Sequence, residues 1–324
     1  MRIAVLYQAG RPPAVDGIEK PMKKGGYSDS GADIAYCLRE NRYDAVTPAA
    51  APDVYRDLDW VFPDTEEGIR QAIALGADTF WLNTVLYAAH PITRFKGVWI
   101  IGQDPAFTDR YDDKYAVNHL LLDSGLSVAD SRIVSRADCA ADAFPCVIKP
   151  IRGRGSQGVK VCDTMEEVRA HIAALLRDGH YGDRFMCEPF LDGREITVGV
   201  FPDGTALPPV IRIKHADRIM PYNGKVPVTE NSYAAAPDPA MADIIADCGR
   251  AARLLHPKAM IRIDCREKDG KYYLFDVNPK PNMTGAVRPH RMDQDSLLMI
   301  AMKAEGKTYA DLIERFISFR WRME

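Results

Sequence analysis

Ile261–Thr284 reads IRIDCREKDGKYYLFDVNPKPNMT, and the fold turns on how these residues pair. Two alternating runs flank the polar Asp269-Gly270 dipeptide, a hairpin turn signal, so the stretch reads as an antiparallel hairpin. On the first strand Ile261, Ile263 and Cys265 share one face and Arg262 and Asp264 the other. On the second, Tyr273, Phe275 and Val277 alternate with Asp276 and Asn278. A loop of odd length centred on Gly270 is expected to place Asp264 opposite Asp276 and Arg262 opposite Asn278. Directly opposed residues share a face, so a guanidinium, two carboxylates and an amide converge there. Facing carboxylates repel unless positive charge sits between them. An amide oxygen beside them completes a hard, all-oxygen set suited to Mg²⁺, with phosphate oxygens and water filling the remaining positions. An isolated Arg-x-Asp pair on a strand is an ordinary surface ion pair. The stiff polar loop Asn278-Pro279-Lys280-Pro281-Asn282-Met283-Thr284, directly after the acidic strand, is what points to substrate positioning.

The rest of the composition narrows the class. A chain of 324 residues with 47% hydrophobic content and a net charge of −3 suits a globular protein of two or three domains. The near-neutral balance gives no footprint for nucleic acid, and no apolar run of about twenty residues marks a membrane span or signal peptide. Seven scattered cysteines without CxxC spacing fit buried thiols in a reducing cytoplasm, and seven histidines form no ligand cluster.

The hairpin resembles the metal-binding hairpin of the ATP-grasp ligases, most closely that of the D-alanine–D-alanine ligases. The family pattern there is Arg-x-Asp, then Glu-x-Asn, then a loop ending in Gly-Met-Thr. This chain has Asp276 in place of the Glu and Asn282 in place of the Gly. The resemblance implies metal ligation by Asp264, Asp276 and Asn278, oxyanion stabilisation by Arg262, and an acceptor carboxylate bordered by the backbone N–H groups of Asn282 and Met283.

Toward the amino terminus, Arg2–Tyr7 reads as a strand opening into a polar loop, followed by a helix over Ser30–Asn41 and a strand at Asp44–Pro48. A helix over Thr65–Leu75 and strands at Thr79–Asn83 and Val98–Gly102 continue the alternation. Alternating β and α elements imply a parallel sheet with ligands at the carboxyl ends of its strands, where the loop 10–29 lies. In the ligases this loop carries a Glu for the amino group of the first D-alanine. Here the matching stretch is Lys23-Lys24-Gly25-Gly26-Tyr27, and Asn83 stands near the position of a substrate-contacting His. Tyr27 and Asn83 are therefore the candidate substrate residues of this half.

A helix is expected over Asp109–Gly125, capped by Asp112, with Val117, Leu120 and Leu121 as its apolar face. Lys114 lies in its first turn, where a cation opposes the helix dipole unless an anion is near; the family helix supplies a phosphate-binding lysine at this place. Cys146–Lys149 is a strand followed by a loop in which Gly153–Gly158 formally matches G-x-G-x-x-G. The strand-like Val159–Cys162 that follows excludes a dinucleotide fingerprint, which needs a helix there. A glycine-rich loop between antiparallel strands can instead fold over a triphosphate with its backbone N–H groups. By resemblance, Lys149 and Ser156 are its phosphate contacts, and Glu188-Pro189-Phe190-Leu191 matches the adenine-binding linker, with Glu195 on the ribose hydroxyls.

Thr164-x-x-Glu167 opens a packing helix as a capping box. The extended segment 207–227 resembles the loop whose lysine meets the terminal phosphates, with Lys225 the better match and Lys214 the second. Pro239–Leu255 and Asp293–Phe319 read as helices, the latter as two.

The expectation is thus an α/β protein, α+β in its C-terminal part: an ATP-grasp fold with an N-terminal parallel-sheet domain. Its domains would be an N-terminal substrate domain (1–108), a central subdomain with the glycine-rich loop (109–187) and a C-terminal subdomain with the metal site (188–324). The implied activity is a carboxylate–amine ligase using ATP and one or two Mg²⁺, with Mn²⁺ also accommodated. Catalysis would rest on Arg262, Lys225 and Ser156, and the substrates would be small and amino-acid-like, outside cell-wall synthesis. No nucleic-acid or membrane partner is expected; the resemblance implies a cytoplasmic homodimer. The competing readings are a D-alanine–D-alanine ligase proper, a non-catalytic ATP sensor and, on glycine spacing alone, a dinucleotide oxidoreductase.

Overall fold

Short runs of Ile, Val, Ala and Leu buried on both faces form the first sheet, as a parallel sheet covered by helices requires. The computed structural model describes residues 1–19, 22–153, 155–213, 218 and 228–324. Across this sheet the strands run Asp44–Val46, Arg2–Tyr7, Thr79–Asn83, Trp99–Ile101 and Trp321–Arg322, with Phe62–Pro63 also paired to Arg2–Tyr7. All pairs are parallel except the last, where the end of the chain returns antiparallel to Trp99–Ile101. That strand is too short for an alternation signal and was not expected from the sequence. Helices Ser28–Glu40 and Tyr309–Ser318 share one core with Trp81, whose ring stacks on Phe316 at 5.6 Å. Helix Glu66–Ala74 covers the other face through Ile69 and Ala72.

The remainder builds two antiparallel sheets. One has four strands in the order Arg132–Ser135, Arg184–Pro189, Cys146–Pro150, Lys160–Cys162, backed by helix Met165–Asp178. The other has five, in the order Ser232–Ala234, Val210–Arg212, Glu195–Val200, Ile261–Lys268, Lys271–Asn278, backed by helix Ala242–Leu255. Period-2 alternation sends Ile196, Val198, Ile261 and Ile263 into that helix-backed core. It leaves Glu195, Arg262, Asp264 and Arg266 on the face that lines a cavity shared with the four-stranded sheet.

The hairpin has the expected pairs by a different route. Its turn is the two residues Asp269 (φ 53°) and Gly270 (φ 79°), both left-handed as a type I′ turn demands, and Lys268 pairs with Lys271. An even loop alone would put Asp264 opposite Phe275. A register shift after Asp264 inserts one unpaired residue, so that Cys265 opposes Leu274 while Asp264 opposes Asp276 and Arg262 opposes Asn278. The odd loop is thus corrected to an even turn plus a bulge at Phe275.

Two other expectations change. The helix over 109–125 is two, Pro105–Tyr111 and Lys114–Asp123, and the cap of the second is Asp113, whose Oδ1 accepts the Ala116 N–H at 2.8 Å. Asp112 instead closes the first, and Leu120 is exposed while Val117 and Leu121 are buried. At Thr164 the hydroxyl accepts the Glu167 N–H at 3.2 Å, but the Glu167 carboxylate takes the Asp163 N–H rather than that of Thr164. Both candidate terminal-phosphate lysines, Lys225 and Lys214, lie outside the described residues.

Candidate active site

Between the two antiparallel sheets lies a cavity of about 260 Å³. Its floor is the hairpin. Asp264 accepts from its strand neighbour Arg262 twice, Nε to Oδ1 at 3.0 Å and Nη2 to Oδ2 at 2.8 Å, and from the Thr197 hydroxyl at 2.5 Å. Burial works to raise the Asp264 carboxyl, but the Arg262 and Arg212 guanidinium groups outweigh it and hold the group below the usual carboxylate range. Opposite it, Asp276 is ion-paired to Lys114 at the start of the helix Lys114–Asp123. Burial opposes the charge on Lys114; Asp276, with Asp112 and Asp264 behind it, more than offsets this and holds its ammonium above the ordinary range. The anion that a first-turn lysine needs is therefore supplied by the hairpin, a contact across 162 positions of sequence.

Lys149 donates to Glu188 Oε1 at 2.8 Å and to the Phe275 carbonyl at 2.9 Å. The second bond depends on the bulge, which takes that carbonyl out of the strand ladder. Burial pushes the Glu188 carboxyl above its ordinary value, and the Lys149 ammonium only partly opposes this. On the neighbouring strand Glu195 accepts from Arg266 Nε at 3.0 Å and faces Arg212 at 3.5 Å; burial raises its carboxyl too.

The glycine-rich loop roofs the cavity with Gly153, Gly155, Ser156 and Gln157. Gly158 turns it back at φ 70°, where a Cβ would lie 2.8 Å from Pro150 Cγ. At the opposite end Gly26 (φ 56°) packs so closely that a Cβ would meet the Gln8 carbonyl oxygen at 1.8 Å. The next residue, Tyr27, holds a left-handed φ of 68°, costly for a residue with a side chain. Asn83 anchors it by donating to the Tyr27 carbonyl at 2.9 Å and to Ser30 Oγ at 3.0 Å.

The structure brings Lys114, Lys149, Ser156, Glu188, Pro189, Leu191 and Glu195 to the cavity. It brings Arg262, Asp264, Asp276, Asn278, Asn282 and Tyr27 there as well. Three expected residues stand behind the wall. Phe190 gives its backbone N–H to Pro145 O at 3.0 Å and packs its ring with Val147 and Val161. Met283 is buried, and its carbonyl accepts the Tyr309 hydroxyl at 2.5 Å. Asn83 is buried and donates to Tyr27 and Ser30. The sequence reading missed Arg266, Arg212, Lys23, Lys280 and Phe275 as cavity residues. Arg266 was legible, since it continues the Arg262–Asp264 alternation; the lysines come from loops with no periodicity.

The hairpin suits a divalent cation in its donor chemistry: two facing carboxylates and the Asn278 amide oxygen, which also accepts the Lys280 N–H at 3.0 Å. Among the described residues no group of three or more His, Cys, Asp or Glu side chains could hold a metal alone. Any ion here therefore needs further oxygens from a ligand.

Comparison with known proteins gives a consistent result. The family model described as D-ala D-ala ligase C-terminus matches residues 117–318. The D-alanine–D-alanine ligase of Aquifex aeolicus is 29% identical over 212 residues, 64% of this chain and 68% of its own length. That of Geobacter sulfurreducens is 26% identical over 308 residues, 89% of this chain and 87% of its own. Among solved structures, the D-alanine–D-alanine ligase from Bacillus anthracis complexed with ATP superposes with a TM-score of 0.67 at 19% identity, covering 98% of this chain and 96% of that one. The VanG D-Ala:D-Ser ligase from Enterococcus faecalis superposes at 0.69 with 15% identity, covering 98% of each chain. The architecture is the ATP-grasp fold.

Proposed function

For a chain that belongs to the D-alanine–D-alanine ligase family and is an ATP-grasp ligase forming a carbon–nitrogen bond, we propose that it joins two amino-acid-like substrates through an acyl phosphate, in a pathway outside cell-wall synthesis. The observation that carries this reading is the pairing of Asp264 with Asp276 beneath a cavity walled by Lys114 and Lys149. A carboxylate does not condense with an amine in water until it gains a leaving group. Its oxygen attacks the γ-phosphorus of ATP, and the bond to ADP breaks with the electron pair leaving on ADP. The amine nitrogen then attacks the acyl carbon, phosphate departs, and the amine loses a proton to solvent.

Such transfers depend on positioning and charge neutralisation. Lys114 and Lys149 would hold phosphate oxygens, with Ser156 and the loop N–H groups above them. Glu188 to Leu191 would border the adenine, chiefly through Pro189, Leu191 and the Glu188 side chain, and Glu195 would face the ribose. Asp264, Asp276 and Asn278 would hold one or two Mg²⁺, or Mn²⁺, which supply further neutralisation of the triphosphate. Arg262 would meet the oxyanion, a donor worth about 3–4 kcal/mol when removed singly. Lys225 would complete the phosphate contacts.

The test is incubation with Mg·ATP, a panel of amino acids and hydroxylamine. Hydroxamate formation supports an acyl phosphate and identifies the acid; ATP hydrolysis without hydroxamate for every acid overturns it. The names of the curated relatives favour a second reading, a D-alanine–D-alanine ligase, for which D-alanine-dependent phosphate release is the discriminating measurement. The division at residues 108 and 187 and a cytoplasmic homodimer belong to the same proposal. All seven thiols are free, and among the described residues no helix is long and apolar enough to cross a membrane.

A further inference from the structure

Resting on the ligase reading, we infer that segment 285–295 is a brace that sets the width of the substrate end of the cavity, with Arg288 as its positioning residue. The feet of this segment stand on the C-terminal half. The Ser296 N–H donates to the Thr284 carbonyl at 3.0 Å, and Gly285 packs on the Tyr309 ring so closely that a Cβ would lie 2.6 Å from it. Its tip reaches the N-terminal half. Arg288 is fully buried and donates from Nε to Asp33 Oδ1 at 2.8 Å, from Nη1 to the Val54 carbonyl at 3.2 Å and from Nη2 to the Asp29 carbonyl at 3.0 Å. Its Nη1 also lies 2.8 Å from Asp57 Oδ1. Arg291 joins it on Asp33 at 3.1 Å and reaches the Asp29 carboxylate at 3.4 Å.

The acceptors belong to the elements that carry the Tyr27 loop. Asp29 and Asp33 lie on helix Ser28–Glu40, which begins directly after Tyr27, and Asp29 also accepts from Lys23 of that loop at 3.1 Å. At the other foot, Thr284 ends the Asn278–Thr284 loop, whose Asn282 lines the cavity. One guanidinium therefore ties together the two loops between which the substrate end opens. Lysine is no substitute, because a planar fork meets several acceptors in set directions and an ammonium is a point charge. Stability is a poor reason for such a cluster. Burial raises the Asp33 carboxyl despite both arginines, and a buried ion pair seldom outperforms apolar packing. What the cluster does provide is a single arrangement that satisfies all its members. Arg288, Arg291, Asp29 and Asp33 stand outside the cavity lining, so they act on a substrate through the two loops.

The experiment measures amide hydrogen exchange and kinetics for wild type, Arg288→Lys, Arg288→Met and Asp57→Asn. Exchange is read without substrate on peptides covering 22–31 and 278–287. It should quicken there in both Arg288 variants and stay as in wild type across the four-stranded sheet. Kinetics use the hydroxamate assay with Mg·ATP and the D- and L-amino acids. The KM of the acid that reacts should rise about tenfold in both Arg288 variants, the order of a lost hydrogen bond to a charged group, and several-fold in Asp57→Asn, with the KM of ATP unmoved. The Asp57 side chain is 33% exposed, so Asp57→Asn carries the same test should an Arg288 variant fail to fold. A lowered melting temperature with exchange and KM unaltered, or a KM that rises equally for ATP, overturns the brace and leaves the ligase reading standing. Hydroxamate from no acid overturns the ligase reading and with it the brace's part in substrate binding, whatever the exchange shows.

Discussion

At the hairpin end of the cavity, Asp264, Asp276, Glu188 and Glu195 come from strands of two sheets, and each is matched to a cation, Arg262 of its own strand for Asp264 and a residue of a neighbouring strand or helix for the others. At the Tyr27 end, two lysines from loops more than 250 positions apart meet over one ring. The first arrangement is buried and electrostatically closed, and it follows from the period of a strand. The second is half-exposed, and it depends on how two loops are brought together. A site of this kind keeps the nucleotide end constant and varies the substrate end, because loop side chains change without disturbing a hydrogen-bonded ladder.

The largest way to break the comparison is Asp276→Ala. It removes the carboxylate opposite Asp264 and takes from the Lys114 ammonium its ion-pair partner, whereas deletion of the unpaired Phe275 would leave Asp276 opposite Asp264 in an unbulged ladder and cost Lys149 its carbonyl acceptor. Loss of ATP-dependent product formation by about a thousandfold is expected for Asp276→Ala, with the fold tested separately by circular dichroism. Product formation near wild type would remove Asp276 from the site.

Asp264→Asn should come next. It leaves Arg262 and Arg212 without their shared counter-charge, and about 3–5 kcal/mol of stability is at stake when a buried pair loses one partner. The sign of the pH dependence follows from the depressed folded value. Stability from this carboxylate is fully present above its unfolded value of about 3.9 and is lost as pH falls through the lower folded value. Glu188 and Glu195, raised by burial, act in the opposite sense and regain stability as pH falls through their raised values. Asp264→Asn should therefore flatten the acid limb of a denaturation profile below about pH 4; an unchanged limb would remove Asp264 as its origin.

At the substrate end the effects are smaller. Asn282 lines the cavity with its Oδ1 turned back to the Thr284 hydroxyl at 3.0 Å, and its side chain occupies space a glycine would leave open. D-alanine is expected to be a poor acceptor, and Asn282→Gly should raise its turnover about tenfold relative to the best amine, the order of a methylene-sized discrimination. Comparable turnover of D-alanine by the unaltered chain would refute this. The smallest effect is expected for Asn83→Ala, which removes two hydrogen bonds behind Tyr27, about 1 kcal/mol each. The KM of the amino-acid substrate should rise several-fold with kcat little changed, measured beside the KM of ATP, which should not move.

Much of the nucleotide end was legible because its chemistry follows the backbone period. Arg262 and Asp264 share a face by alternation, Lys149 precedes a glycine-rich loop, and Glu195 opens a strand. The resemblance then attached roles to residues that alternation alone would leave as ordinary strand positions. Phe190 does not line the cavity for a physical reason: it lies in a motif that borders the site, but its side chain turns into a core and its N–H is already bonded to the Pro145 carbonyl. The Met283 side chain is likewise buried and its carbonyl is taken by the Tyr309 hydroxyl, so only its N–H is left for the role the resemblance implies. Asn83 was found by position, and only the tertiary contacts reveal that it is buried and steadies Tyr27. Arg212 and the loop lysines carry no periodic signal.

Sequence alone therefore determined the alternation that gathers Arg262, Asp264 and Glu195 on one face, the turn at Asp269-Gly270 and the placement of the glycine-rich loop, because these depend on local geometry with a fixed repeat. Tertiary structure decided the bulge that aligns Asp264 with Asp276, the seating of Lys114 on Asp276 across 162 positions, and the meeting of Lys23 and Lys280 on Tyr27. These are set by which segments pack together, and no period along the chain records that.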